Sequence, residues 1–150
     1  MKLKHALLEN VYKIKTTDDI AKKLNAEWNE IYSNGYGTFW PKSDYFYVGK
    51  DKQMYLAVSI EETILRLSKT KKPIKSAHLL GITSHKKGAG NYFVNKLKKE
   101  YDIIFGGSSS IEGANMFKKA GFTSVRKIGK VKHQKMWFYS EKFNNKEVDI

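Results

Sequence analysis

Leu79-Leu80-Gly81-Ile82-Thr83-Ser84-His85-Lys86-Lys87-Gly88-Ala89-Gly90-Asn91 is the stretch whose reading decides the fold. An apolar run that reads as a strand enters a loop with two glycines, and an amphipathic helix starts at once. A helix that opens this way exposes unpaired backbone N–H groups and the positive end of its dipole. The glycines let that backbone approach an anion closely, and Lys86 and Lys87 add charge beside it. Taken alone, the same pattern describes a plain strand-to-helix turn with two solvated lysines. Two common nucleotide motifs do not fit. Phe93 stands where the dinucleotide fingerprint needs its third glycine, and no Gly-Lys-Ser/Thr follows at Walker spacing.

Working outward towards the C-terminus, 91–99 reads as a helix with Phe93, Leu97 and then Tyr101 on its buried stripe. Residues 103–106 make a short buried strand. Ser109 and Glu112 have capping-box spacing, and the helix they open closes at Gly121. Residues 122–128 and 136–143 form a hairpin, and 144–150 read as a frayed polar tail. Towards the N-terminus, 74–83 is strand-like after Pro73. Residues 61–72 read as a short helix, with acids first, bases last, and Ile60, Ile64 and Leu67 on one face. Strands at 45–49 and 54–60 are joined by the polar turn 50–53. Before them, Thr16 and Asp19 open a helix carrying Ile20, Leu24, Trp28 and Ile31, which ends at Asn34-Gly35. A strand at 11–15 comes first. This order predicts an α/β (α+β) fold, a mixed central sheet flanked by helices, in a single domain over residues 1–150.

Composition narrows the function classes. The 150 residues are 41% apolar and 13% aromatic, enough for a packed core. No apolar run approaches the ~20 residues a membrane helix needs, and the apolar segment near Met1 is too short for a signal peptide. A soluble, cytoplasmic protein is the expectation. With no cysteine, disulfides, thiolate metal sites and cysteine nucleophiles are excluded. His5, His85 and His133 lack partners at metal-ligand spacing, so no metal is expected. The net charge is +13, yet Arg66 and Arg126 are the only arginines among 28 basic residues. Readers of phosphate and bases favour the planar arginine fork, so scattered lysines read first as a solvated surface, partly tuned to an anionic ligand. Nucleic-acid contact is the alternative.

Two segments together carry a family resemblance. His85 to Gly90 resembles the pyrophosphate loop of the GNAT superfamily of acyl-CoA-dependent N-acyltransferases, written Gln/Arg-x-x-Gly-x-Gly/Ala, with His85 at the first position. Further on, Ala114-Asn115-Met116-Phe117-Lys118-Lys119-Ala120-Gly121-Phe122 is similar to the family's second signature, a helix ending in Phe-Tyr-x-x-x-Gly-Phe. The resemblance covers residues 74–140 well and the first 70 by element order.

The resemblance implies acetyl-CoA or a close relative as co-substrate and an amine as acceptor. The strand backbone at Leu80 to Ile82 would pair with the acyl carbonyl and pantetheine amides. The loop His85, Lys86, Lys87, Gly88, Ala89, Gly90 and Asn91 would hold the pyrophosphate, and Asn115 would touch the pantetheine arm. Amine attack on a thioester needs a base and is helped by an acid at the departing thiolate. His78 is the candidate base, with Glu61 and Glu62 as alternatives. The family's tyrosine acid aligns with Phe117, which has no proton to give, and the usual asparagine aligns with Ser110. Ser110, Ser109 or an ordered water is therefore the candidate acid. The aromatic residues Tyr36, Phe39, Trp40, Tyr45, Phe46 and Tyr47 read as core or as lining of an acceptor pocket. Expected partners are acyl-CoA, the amine acceptor, weak nucleic-acid contact and a second copy of the chain, but no membrane. A GNAT-like module with weakened catalysis that binds nucleic acid or protein, or a nucleic-acid-modifying enzyme of the same fold, is the competing reading.

Overall fold

Alternating and continuous apolar runs build the long strands that organise the molecule. The computed structural model describes residues 11–32 and 39–150, so His5, the Asn34-Gly35 helix end and Tyr36 lie outside the described residues. The elements are β1 (Val11–Lys15), α1 (Asp19–Tyr32), β2 (Tyr45–Lys50), β3 (Met54–Leu67), β4 (Pro73–Ser84), α2 (Ala89–Glu100), β5 (Ile103–Gly107), α3 (Ile111–Lys119), β6 (Thr123–Lys127), β7 (Lys135–Tyr139) and β8 (Val148–Asp149). Hydrogen bonds order the sheet β1-β2-β3-β4-β5-β7-β6, with β8 on β3. The pairs β1–β2, β2–β3, β3–β8, β5–β7 and β6–β7 are antiparallel, while Ser76–Leu79 of β4 run parallel to Ile103–Gly106 of β5. The expected mixed sheet with flanking helices is what the chain forms.

Two compact units share the chain, Met1–Glu61 with Leu80–Phe93, and Glu62–Leu79 with Val94–Ile150. In the first, Ala21 and Trp28 of α1 pack on Phe46 and Val48 of β2 and Met54 and Ala57 of β3. On the opposite pleat Tyr47 meets Phe93 of α2 edge-on, with ring centroids 4.8 Å apart. In the second unit, Ile74, Ile103, Phe105, Phe138 and Val148 form the core. Each such fully buried aliphatic or aromatic side chain stabilises by ~1.5–3 kcal/mol.

Four local expectations are corrected. Residues 61–72 are not a helix: β3 runs to Leu67, with Leu65 and Leu67 packed against the core and Ile64 exposed. That period of two, with β-branched Thr63 and Ile64, outweighs the charge order along the stretch. The tail is not frayed. Asn144 caps a single 3-10 turn, and Val148 is buried where β8 pairs with β3. Helix α1 is opened by Asp18, whose Oδ1 accepts the Ile20 N–H at 3.0 Å, because the Thr16 hydroxyl is buried against Ser43. Its stripe accordingly turns towards Ala21 and Trp28 and leaves Ile20 and Ile31 exposed. Finally, Ser110, not Ser109, caps α3.

Candidate functional site

The loop between β4 and α2 belongs wholly to the first unit. Ser84 shapes its start: the hydroxyl donates to the Lys86 carbonyl at 2.9 Å and accepts the Lys86 N–H at 3.3 Å, a serine turn. Gly88 then takes φ +84°, a left-handed conformation that a side chain would strain. The chain thereby turns straight into α2, whose Ala89 N–H is used by the Lys86 carbonyl and whose Tyr92 N–H is used by Gly88. The amides of Lys87, Gly88, Gly90 and Asn91 meet no protein acceptor among the described residues. Beside them the buried Asn91 Oδ1 is likewise without a hydrogen-bond partner among those residues. A Cβ on Gly90 would meet nothing nearer than Ile82 Cδ1 at 3.8 Å and Ser84 Cβ at 3.9 Å. Four open donors at the positive end of a dipole, next to a glycine face, can hold a phosphate-sized anion.

The loop is buttressed by residues that sequence reasoning missed. The His85 ring stacks on Tyr32 of α1, with centroids 3.8 Å apart and planes 6° apart, and the His85 backbone N–H donates to the Tyr55 carbonyl at 2.8 Å. Lys86 does not stand free beside the loop. Its Nζ lies 2.9 Å from Asp51 and 4.8 Å from the Tyr55 ring centroid. The Lys86 hydrogen bond, first of all, holds the Asp51 carboxyl below its usual range. Burial raises the Tyr55 hydroxyl. The exposed Lys87 is the loop's outward cation. No spacing rule links Tyr32, Asp51 and Tyr55 to residue 85, so only the folded chain reveals them.

Leu80 and Ile82 lie on β4 immediately before the loop, beyond Leu79, where the ladder to β5 ends. The structure thus gathers Leu80, Ile82, His85, Lys86, Lys87, Gly88, Ala89, Gly90 and Asn91 into one unit, while His78, Ser110 and Asn115 belong to the other. In that second unit the His78 ring stacks on Phe105 at 4.5 Å. The Ser110 hydroxyl accepts the Gly113 N–H at 3.0 Å, which leaves its own proton available to donate. Asn115 is exposed on α3. Phe117 is buried, 2% exposed, against Phe122 and Trp137, and its Cζ would stand 3.3 Å from a Cβ on Gly106. Glu62 is engaged by the Tyr101 hydroxyl at 2.7 Å and by Lys75 at 3.0 Å, a structural use of that carboxylate. No group of metal-ligating side chains occurs among the described residues, and no helix among them is long and apolar enough to cross a membrane.

By sequence, no protein-family model matches the chain, and no curated protein matches it significantly. Solved structures do match. Arabidopsis thaliana NAA60 bound to acetyl-CoA is 10% identical over 87% of this chain and 99% of its own, with a TM-score of 0.61. A Corynebacterium glutamicum acetyltransferase related to the histone acetyltransferase HPA2 is 11% identical over 86% and 95%, at 0.55. The Campylobacter jejuni N-acetyltransferase PseH is 11% identical over 88% and 99%, at 0.50. At this identity the likeness speaks for the fold alone, and it agrees with the strand, loop and helix just described: the chain has the GNAT N-acetyltransferase fold.

Proposed function

We propose that the protein is an acyl-CoA-dependent N-acyltransferase, with acetyl-CoA the simplest donor. The observation that carries this reading is the start of α2, where four backbone amides stand open beside a glycine face at the end of β4. In this reading the amides of Lys87, Gly88, Gly90 and Asn91 hold the pyrophosphate, and Asn91 Oδ1 accepts from the bound donor or an ordered water. The β4 backbone at Leu80 to Ile82 orients the acyl arm. The NAA60 structure contains acetyl-CoA on a similar fold, which supports the same co-substrate here.

The reaction joins an amine nitrogen to the thioester carbonyl carbon, breaks the C–S bond and releases CoA thiolate and a proton. His78 is the base we assign, taking the amine proton directly or through water, and Ser110 the donor that meets the thiolate. CoA thiolate is a good enough leaving group that a serine or a water suffices where Phe117 offers no proton. The acceptor is an amine on a small molecule, peptide or nucleic acid, and the protein works in the cytoplasm.

A second reading rests on Phe117. Its hydroxyl-free ring, buried between Phe122 and Trp137, supports a GNAT-like module that binds acyl-CoA and a partner with little turnover. The test is thiol release from acetyl-CoA with panels of polyamines, amino acids, peptides and aminoacylated RNA. Turnover of any amine above the hydrolysis background, lowered by His78→Gln, supports the transferase. Binding of acetyl-CoA with no turnover of any panel supports the module.

A further inference from the structure

The C-terminal half of the second unit carries a basic surface that the open amides of α2 do not explain. Between Glu112 and Glu141 the sequence holds six lysines and Arg126 and no acid. None of these cations is in an ion pair among the described residues. Uncompensated like charges repel, so an anionic partner is favoured here. Helix α3 and the β6–β7 hairpin shape part of this segment into a pocket of about 390 Å³. Ile111, Ala114 and Trp137 contribute apolar lining, and Lys118, Lys132 and Lys135 contribute charge. Ile111, Ala114 and Lys118 are three and four residues apart and so share one helix face.

The wall of this pocket is held in place. The buried Ser108 hydroxyl donates to the His133 carbonyl and accepts from Trp137 Nε1 at 2.9 Å and from the Lys135 N–H at 3.4 Å. The Ser108 N–H returns to the Lys135 carbonyl at 2.9 Å. The turn and the β7 arm of the hairpin are thus fixed from below, which lowers the ordering cost of binding. Ile111 is 60% exposed, and Ile128 and Val131 of the hairpin are 49% and 45% exposed, so aliphatic groups stand open among the cations.

These features choose between polyanions. A single-stranded nucleic acid is held by open aromatic faces and, often, by arginine forks. Trp137 is only 6% exposed and stacks on Phe117, and the segment has a single arginine. A peptide that carries carboxylates around an aliphatic side chain satisfies both the charge and the apolar lining. We propose that α3 and the β6–β7 hairpin form a docking pocket for an acidic peptide segment with one bulky aliphatic anchor. The anchor packs on Ile111, Ala114 and Trp137, and flanking Asp or Glu side chains meet Lys118, Lys132 and Lys135. This surface uses none of the residues of the α2 loop, but Asn115, which the family resemblance gives to the pantetheine arm, also lines it. Peptide binding and acetyl-CoA binding are therefore measured separately, to tell failure of one from failure of the other.

Fluorescence anisotropy on the full chain at low salt tests the proposal with three labelled probes. These are a short synthetic peptide of Asp and Glu with one central Leu, the same peptide with Ser in place of Leu, and a single-stranded oligonucleotide of equal charge. The Leu peptide is expected to bind at least tenfold more tightly than either alternative, a difference of about 1.4 kcal/mol. Lys132→Glu combined with Lys135→Glu should abolish that binding and leave acetyl-CoA affinity unchanged. Lys132→Glu alone, at an exposed turn position, should weaken it and serves if the double variant does not fold. Ile111→Ser should erase the preference for Leu over Ser while charge-driven binding persists. Tighter binding of the oligonucleotide, equal binding of the two peptides, no binding of the Leu peptide, or indifference to Lys132→Glu would each overturn the proposal.

Discussion

The starts of α2 and α3 are built to opposite ends. At α3, Ser110 turns its hydroxyl onto the Gly113 N–H and Glu112 places a carboxylate in the first turn, so the helix satisfies its own donors and dipole. At α2 no acid stands in the first turn, the Ser84 hydroxyl is occupied with its own serine turn, and Gly-Ala-Gly supplies no capping side chain. One helix end is closed by its own residues, and the other keeps its donors open. The proposed acyl-CoA reading rests on that difference.

The largest expected effect lies beside the closed end. Phe117→Tyr places a hydroxyl among Phe122, Trp137 and Gly106, where burial leaves it unsatisfied at a cost of about 1–3 kcal/mol. At ~2–4 °C per kcal/mol for a chain of this size, the melting temperature should fall by several degrees. A variant that melts with the wild type and turns over faster would instead show the ring facing the reacting thioester.

Next come paired substitutions at the two helix starts, which should have opposite signs. Ser110→Ala removes a side-chain cap and should cost ~1 kcal/mol. Gly90→Ala adds a Cβ that meets only ordinary contacts in the first turn of α2, and should stabilise by up to ~1 kcal/mol. Thermal denaturation of both variants checks the pair. Equal and small effects would remove the distinction drawn between the two ends.

How much of this contrast was legible in the sequence differs from one residue to the next. The strand, glycine loop and helix at 79–100 were legible because two periodicities meet at Gly88 and Gly90, and the fold follows from that junction and the helix ending at Gly121. The cap of α3 was read one residue early, since Ser108, Ser109 and Ser110 are chemically alike and only packing sends Ser108 inward to Trp137. The stretch after Ile60 was misread because its charge order mimics a helix, while the deciding contacts come from β8 and the core, far away in sequence. The buttress of the loop is invisible in the sequence for the same reason: Tyr32 reaches His85, and Asp51 reaches Lys86, only through tertiary structure.

The smallest effect concerns that buttress and pH. Asp51 has a depressed folded-state pKa, chiefly through its hydrogen bond with Lys86. A depressed carboxylate contributes its stabilisation above the unfolded value near 3.9, and loses it as pH falls through the lower folded value. Protection factors of the loop amides, corrected for the intrinsic pH dependence of exchange, should therefore be unchanged from neutral pH down to about 5 and fall only below ~4, an effect that Asp51→Asn abolishes. An opening that persists in Asp51→Asn would assign it to another group.

The central claim is that the open end of α2 receives the phosphates of an acyl-CoA. Calorimetric titration of acetyl-CoA into the wild type and into Gly90→Val, with melting curves to confirm that both are folded, addresses it most directly. The account predicts one-to-one binding to the wild type and no measurable heat with Gly90→Val, because a branched side chain fills the face between Ile82, Ser84 and the free amides. Equal affinity in the two proteins, or no binding to a folded wild type, would contradict it.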